Sequence, residues 1–180
     1  MKDVFIVPGT KNSGKTNLCK KLVKDLRGNS VVIKGIISPG VYAGDKKMAI
    51  TAIDLSNDEK VILAENCPGW DKKKPIREWK FKREAIPWGK DVLSHSVPCD
   101  VLLVDEIGFL EFEENDGWSN VFQIISEKQF TSAVVVVRSL LLDHALTRWP
   151  EAMVLEVKES EDIDPLEKSL CFQLLNKLRS

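Results

Sequence analysis

Val4-Phe5-Ile6-Val7-Pro8-Gly9-Thr10-Lys11-Asn12-Ser13-Gly14-Lys15-Thr16 decides the reading of this chain. Val4 to Val7 are β-branched or aromatic and read as a buried strand. Gly9-x-x-x-x-Gly14-Lys15-Thr16 follows, then a helical pattern from Asn17 to Leu26. The two glycines let the backbone bend tightly and bring its N–H groups close to a polyphosphate. Lys15 can reach the β- and γ-phosphates, and Thr16 can set its hydroxyl on Mg²⁺. The helix turns its positive N-terminal end toward the same anion. Strand, glycine-rich turn and helix in this order read as a phosphate-binding loop (P-loop).

A second strong signal is Asp100-Val101-Leu102-Leu103-Val104-Asp105-Glu106. Four apolar residues run into two carboxylates, which predicts a buried strand whose last residues emerge at its C-terminal edge. Ligands of open parallel α/β sheets sit at that edge. Asp105 is therefore the expected partner of Thr16 in holding Mg²⁺. Glu106 points elsewhere in a regular strand, and it can orient or deprotonate a water aimed at the γ-phosphate. Ala133 to Val137 is a further apolar strand, ending in Arg138. Three fates stand open for Arg138: charge neutralisation on a transferring phosphoryl group, pairing with Asp105 or Glu106, or solvent. Arg148 is a second candidate cation.

Outward from these runs, Arg27-Gly28-Asn29 reads as a helix stop and Val31 to Ser38 as a strand. Tyr42 to Lys46 reads as a turn or mobile loop. Met48 to Leu55 and Lys60 to Ala64 predict an antiparallel hairpin at a sheet edge. Residues 67–90 hold Trp70, Trp79 and Trp88 among Lys72, Lys73, Lys74, Arg77, Lys80, Lys82, Arg83 and Lys90. Trp79 to Phe81 suits a short strand, and Lys82 to Ser94 a helix disturbed by Pro87-Trp88-Gly89. Basic residues among aromatics can stack single-stranded nucleic acid. They can equally hold a nucleotide base or cover the sheet with snorkelling lysines; the last is the favoured reading, and nucleic acid is disfavoured because the whole chain is not basic. Trp118 to Lys128 carries a helical apolar stripe. Leu140 to Trp149 reads as a short helix, and Met153 to Val157 as a last strand. Pro165 opens a leucine-striped helix that should pack on the sheet.

The 180 residues suit one α/β domain spanning 1–180, with the P-loop strand near the centre of its sheet. An apolar fraction of 43% and a net charge of −1 give no general pull toward nucleic acid or an anionic membrane. The four cysteines are widely spaced, as expected of reduced thiols in the cytoplasm rather than a disulfide framework or zinc site. No run is apolar enough to suggest a membrane span. No protein partner can be named from the sequence.

Gly9-Thr-Lys-Asn-Ser-Gly-Lys-Thr16, Ile33-Lys-Gly-Ile-Ile-Ser-Pro39, Asp54-Leu55 with Ile62-Leu-Ala64, and Val104-Asp-Glu-Ile-Gly108 with Leu110-Glu111 occur in one order. In this the chain resembles the nucleoside-triphosphatases related to the cancer-related nucleoside-triphosphatase and its thermophile counterparts. The resemblance implies a RecA-like P-loop fold, a mostly parallel sheet flanked by helices, with an added antiparallel β-hairpin. It implies slow, Mg²⁺-assisted hydrolysis of several nucleoside triphosphates to diphosphate and phosphate. It places nucleotide binding on Gly9 to Thr16 and on Leu102, Leu103, Val104, Asp105, Glu106, Ile107, Gly108 and Phe109. After Pro39 this chain departs from the arginine-rich family pattern, with Gly40-Val-Tyr42 and Asp45-Lys-Lys-Met48 instead. Lys46 and Lys47 lack arginine's bidentate fork. Two rivals share the same phosphate chemistry: a small kinase with another acceptor, and a nucleotide-switched adapter whose switch would be loop 39–47.

Overall fold

The computed structural model describes residues 3–68, 79–127, 129–158 and 163–179. Among these, nine strands form one sheet: β1 (Asp3–Gly9), β2 (Ile33–Ile37), β3 (Gly40–Ala43), β4 (Lys46–Asp54), β5 (Lys60–Asn66), β6 (Trp79–Phe81), β7 (Cys99–Ile107), β8 (Phe130–Arg138) and β9 (Met153–Val154). Their lateral order is β6-β5-β4-β2-β7-β8-β1-β9, with β3 paired to β4. The strands β2, β7, β8, β1 and β9 run parallel to one another. The strands β4, β5, β6 and β3 form an antiparallel wing joined to β2. The expected hairpin is thus the core of a larger wing. Tyr42 to Lys46, read above as a turn or mobile loop, is the turn of a second hairpin, with only Gly44 and Asp45 between its strands.

The P-loop strand is not central. It stands one place in from the end of the sheet, between β8 and the two-residue β9. A continuous apolar run reports only that both faces of a strand are covered, not which strands lie beside it. Both faces are indeed covered. Val101, Leu103, Val134 and Val136 join one core, with Leu18, Leu22 and Leu26 of α1 (Lys15–Gly28) and Leu170 and Leu174 of α6 (Ile163–Arg179). Leu102, Val104, Ala133, Val135 and Val137 join the other, beneath α2 (Ala85–Ser94), α4 (Val121–Glu127) and α5 (Leu142–Arg148), with the one-turn α3 (Phe109–Phe112) following β7. Successive side chains of a strand point to opposite faces, so each apolar run supplies both cores.

Helix α1 ends at the expected stop, Arg27-Gly28-Asn29, and α2 departs from expectation. Helix α1 runs through Gly28, and the left-handed residue that ends it is Ser30, φ 61°. Ser30 N–H donates to the Arg27 carbonyl and Val31 N–H to that of Leu26, a Schellman closure with Val31 and Leu26 in the same core. Helix α2 is continuous across Pro87-Trp88-Gly89. Pro87 is its third residue, where a missing N–H leaves no intrahelical bond unmade. Gly89 lets Trp118 approach: a Cβ there would stand 2.1 Å from the indole nitrogen. Trp70, Lys72, Lys73, Lys74 and Arg77 of the basic-aromatic segment lie outside the described residues.

Gly35 is the tightest point of the sheet. Its φ is +118°, and a Cβ would lie 1.9 Å from the Leu103 carbonyl oxygen on β7. Neither strand can yield without breaking the β2–β7 ladder. Gly35→Ala is expected to lower unfolding free energy by about 3 kcal/mol or more, strain and overpacking acting together. Gly28→Ala, with open space around it, should change stability by less than about 1 kcal/mol, and in the stabilising direction. Urea unfolding of the two variants beside the parent chain checks both.

Candidate active site at the phosphate loop

Between β1 and α1 the backbone is left-handed at Asn12 (φ 66°) and Gly14 (φ 98°). Glycine supplies one of these positions at no steric cost, and asparagine tolerates the other. Gly9 has a different reason to be bare. A Cβ there would stand 2.5 Å from Ser13 Oγ and 2.8 Å from the Val157 carbonyl oxygen, where the chain bridges back to β1. The loop closes on Ser13 N–H donating to the Thr10 carbonyl. Beyond it, the first-turn N–H groups of α1 face outward as an anion site. Lys15 Nζ donates to the carbonyls of Gly9 (2.9 Å) and Thr10 (2.6 Å). Burial lowers its pKa, while Glu106 and Asp105 act the other way.

The two motifs meet. Thr16 and Asp105 border one cleft, with the Thr16 hydroxyl near enough to the Asp105 carboxyl to favour its charged form. Their strands are not neighbours, as a simple pairing would have them; β8 lies between β1 and β7. Asp105 is 1% exposed. Its Oδ2 accepts the Ser38 N–H at 3.0 Å, and its carbonyl accepts the Ser38 hydroxyl at 3.2 Å. Burial and the neighbouring Glu106 carboxylate raise its pKa to about 6, against the opposing pull of Ser38, Thr16 and Lys15.

Glu106 breaks the alternation of β7. Its φ is +76°, and the β7–β8 register slips between Val104 and Ile107. A left-handed non-glycine residue is strained backbone of the kind that collects at functional sites. The consequence is that Asp105 and Glu106 border the same cleft, rather than opposite faces of the sheet. The interposed β8 delivers Arg138 beside them, its Nη2 3.2 Å from Glu106 Oε1. Beyond the bulge, buried Glu111 accepts the N–H groups of Gly108 (2.8 Å) and Trp118 (2.9 Å) and holds the departing chain.

The cleft encloses about 180 Å³. Lys11, Lys15, Lys20, Lys47 and Arg138 border it with Asp105 and Glu106, a cationic excess suited to a polyanion. Of the residues singled out from sequence, Asn12 and Gly14 also border it, while Gly9, Thr10 and Ser13 shape the loop behind it. Leu102, Leu103, Val104 and Ile107 are sealed in the core, and Gly108 and Phe109 lie past the bulge. The sequence reading passed over Ser38, Asn17, Lys20, Gly40 and Tyr42 as site residues. Asn17 and Lys20 could have been found from their helical spacing to Thr16. Gly40 and Tyr42 could not, because β3 was not legible as a strand, and Ser38 could not, because only the β2–β7 pairing brings it to Asp105. A larger hollow, about 1010 Å³, opens by Asp3 at the other end of β1 and includes Arg148 and Trp149. Arg148 lies over the Phe122 ring there. That hollow has no phosphate-loop residue, so charge and donors, not size, single out the smaller cleft.

Thr16 and Asp105 offer oxygen donors, the set a hard divalent cation takes. A cation would also offset the cost that burial and Glu106 impose on the Asp105 charge. Among the described residues no group of three or more His, Cys, Asp or Glu is placed to hold a metal ion. The pair therefore fits Mg²⁺ held jointly with phosphate oxygens.

Comparison with known proteins agrees with this geometry. A family pattern described as NTPase matches residues 4–165. The nucleoside-triphosphatase THEP1 of Pyrococcus abyssi is 30% identical over 115 residues, 62% of each chain. That of Ignicoccus hospitalis is 28% identical over 108 residues, 59% of this chain and 60% of the relative. The chain thus spans about three fifths of the length of these curated relatives. The solved structure of THEP1 from Aquifex aeolicus superposes with a TM-score of 0.71 at 20% identity, covering 97% of this chain and 99% of that one. The solution structure of a human cancer-related nucleoside triphosphatase gives 0.70 at 18% identity, over 98% of each chain. These likenesses show the P-loop NTPase fold.

The raised Asp105 pKa has a definite sign in stability. Between its ordinary value of 3.8 and about 6, the folded state keeps a proton that the unfolded chain has released. This group's contribution therefore falls as pH rises through that window. Asp105→Asn removes the dependence. The variant and parent should be about equally stable at pH 4, and the variant more stable by on the order of 2 kcal/mol at pH 7 without nucleotide. Urea midpoints at the two pH values measure it, and equal midpoints at pH 7 would contradict the buried-charge account.

Proposed function

This chain belongs to the NTPase family, and from that premise we propose that it is a Mg²⁺-dependent hydrolase of nucleoside triphosphates, ATP and GTP among them, yielding diphosphate and phosphate. The observation that carries the reading is the meeting of Thr16 and Asp105 in one cleft that also gathers Lys15, Glu106 and Arg138. A phosphate loop alone would be generic; its meeting with the paired acids is what hydrolysis requires.

The residues divide the work as follows. N–H groups of the Gly9–Gly14 loop and the first turn of α1 bind the phosphate oxygens. Lys15 exchanges its two loop carbonyls for oxygens at the β–γ bridge. Thr16 and Asp105 would hold Mg²⁺, which supplies charge neutralisation on the phosphates when bound. Glu106 orients a water and takes its proton as the water oxygen bonds to the γ-phosphorus and the bridging P–O bond to the diphosphate breaks. Arg138 stabilises the charge on the transferring group. It is paired with Glu106, which holds both side chains in place.

The reading includes a cytoplasmic setting and a single domain over 1–180. The cysteines Cys19, Cys67, Cys99 and Cys171 are unpaired, in keeping with a reducing compartment. No helix among the described residues is long and apolar enough to cross a membrane.

Phosphate release from ATP, GTP, CTP and UTP, with and without Mg²⁺, tests the proposal. Release should be Mg²⁺-dependent with all four. Faster transfer of the γ-phosphate to an added nucleoside or oligonucleotide would replace it with the kinase reading. Lys15→Ala should weaken nucleotide binding and turnover together. Glu106→Gln should leave binding within a few-fold and abolish turnover; undiminished release would refute its role. Arg138→Ala should lower kcat on the order of a thousandfold with a smaller change in KM.

A further inference from the structure

Among the described residues, Tyr42 is the one aromatic side chain on the wall of the phosphate cleft. The groups around it suit phosphate: lysines, an arginine, carboxylates, amides and bare backbone. None offers a flat apolar face to the uncharged end of a nucleotide. Tyr42 does, at 58% exposure.

The ring is also held in readiness. The β3–β4 register shifts between Val41 and Tyr42, so both residues are exposed in succession instead of alternating. Gly40 leaves room beneath. A Cβ there would stand 2.8 Å from Tyr42 Cε2 and 2.5 Å from Lys47 Cε. One side of the ring and the lysine stem thus lie across the same strip of backbone. The Lys47 ammonium sits over the Trp79 ring, 5.4 Å from its centroid, and ties the hairpin to β6. A seated ring with a free side loses little freedom when a second flat group stacks on it.

We propose that Tyr42 is the nucleobase platform of this cleft, taking a purine or pyrimidine by stacking and reading none of its hydrogen-bonding edge. The inference rests on the triphosphatase reading and adds the base subsite to it. Stacking is tolerant because every base has a π-face. The platform therefore gives affinity without choosing a base, and purines, with the larger face, bind more tightly than pyrimidines.

Equilibrium binding of ADP, UDP and inorganic pyrophosphate, each with Mg²⁺, separates base from phosphate without turnover. Tyr42→Ala should weaken ADP binding about tenfold and UDP by less, with pyrophosphate changed less than twofold. Tyr42→Phe should keep ADP affinity within twofold, since the ring and not the hydroxyl acts. Equal losses for ADP and pyrophosphate, or no loss for either, would overturn the inference. Tyr42 is the chain's single tyrosine, so 3-fluorotyrosine labelling of the unaltered protein gives one ¹⁹F resonance and needs no variant to fold. ADP should move it and pyrophosphate should not; equal shifts or none count against the platform. Pyrophosphate binding with no effect at Tyr42 removes this inference alone. Failure of both ligands to bind the unaltered chain removes the triphosphatase reading along with it.

Discussion

The structure turns on the meeting, at one cleft, of two residues far apart in sequence: Thr16 and the Asp105 carboxyl. Asp105 is buried, and an isolated carboxylate there would be costly. The fold answers with Ser38 on one side and Thr16 on the other, yet the pKa remains raised. The site is built to favour the arrival of positive charge. That requirement places strict demands on the sheet. The P-loop strand and the acid strand must end at one level, with one strand between them, and both must stay clamped between two apolar layers.

The strand between them is not a spacer. Because β8 separates β1 from β7, its last residue, Arg138, emerges beside the acids. A direct β1–β7 pairing would leave no position for that cation. The bulge at Glu106 does complementary work. It spends backbone strain to bring two consecutive carboxylates to one cleft. Buried Glu111 secures the chain just beyond, so the distortion stays local. The antiparallel wing closes the remaining side, and through Gly40, Tyr42 and Lys47 it gives this cleft a wall unlike the arginine-rich pattern of the family it resembles.

Legibility in the sequence tracks the range of the forces involved. The P-loop, the strand ending in Asp105-Glu106 and the hairpin around Ser56 to Glu59 are local patterns, and each was readable. Helix α2 was read as disturbed because Pro87 and Gly89 look like breakers in isolation. The first falls in the opening turn, and the second makes room for Trp118, 29 residues away. The end of α1 at Arg27-Gly28-Asn29 was readable from a local rule, whereas the left-handed residue that closes it, Ser30, goes with the seating of Val31 in the core. Strand β3 was missed because its pairing with β4 is its main support; its own residues are mostly exposed.

By itself, the order of residues determined which groups could do phosphate chemistry: the glycines, Lys15 and Thr16, and the two acids after an apolar run. Those are matters of side-chain type and spacing, carried by the chain wherever it goes. Only the tertiary structure decided the rest: the place of β8 between the two motifs, the turn of Glu106 into the cleft, the pairing with Arg138, and the seat of Tyr42 on Gly40. Each depends on what lies beside a strand, and lateral order in a sheet leaves no mark on a strand whose two faces are both buried.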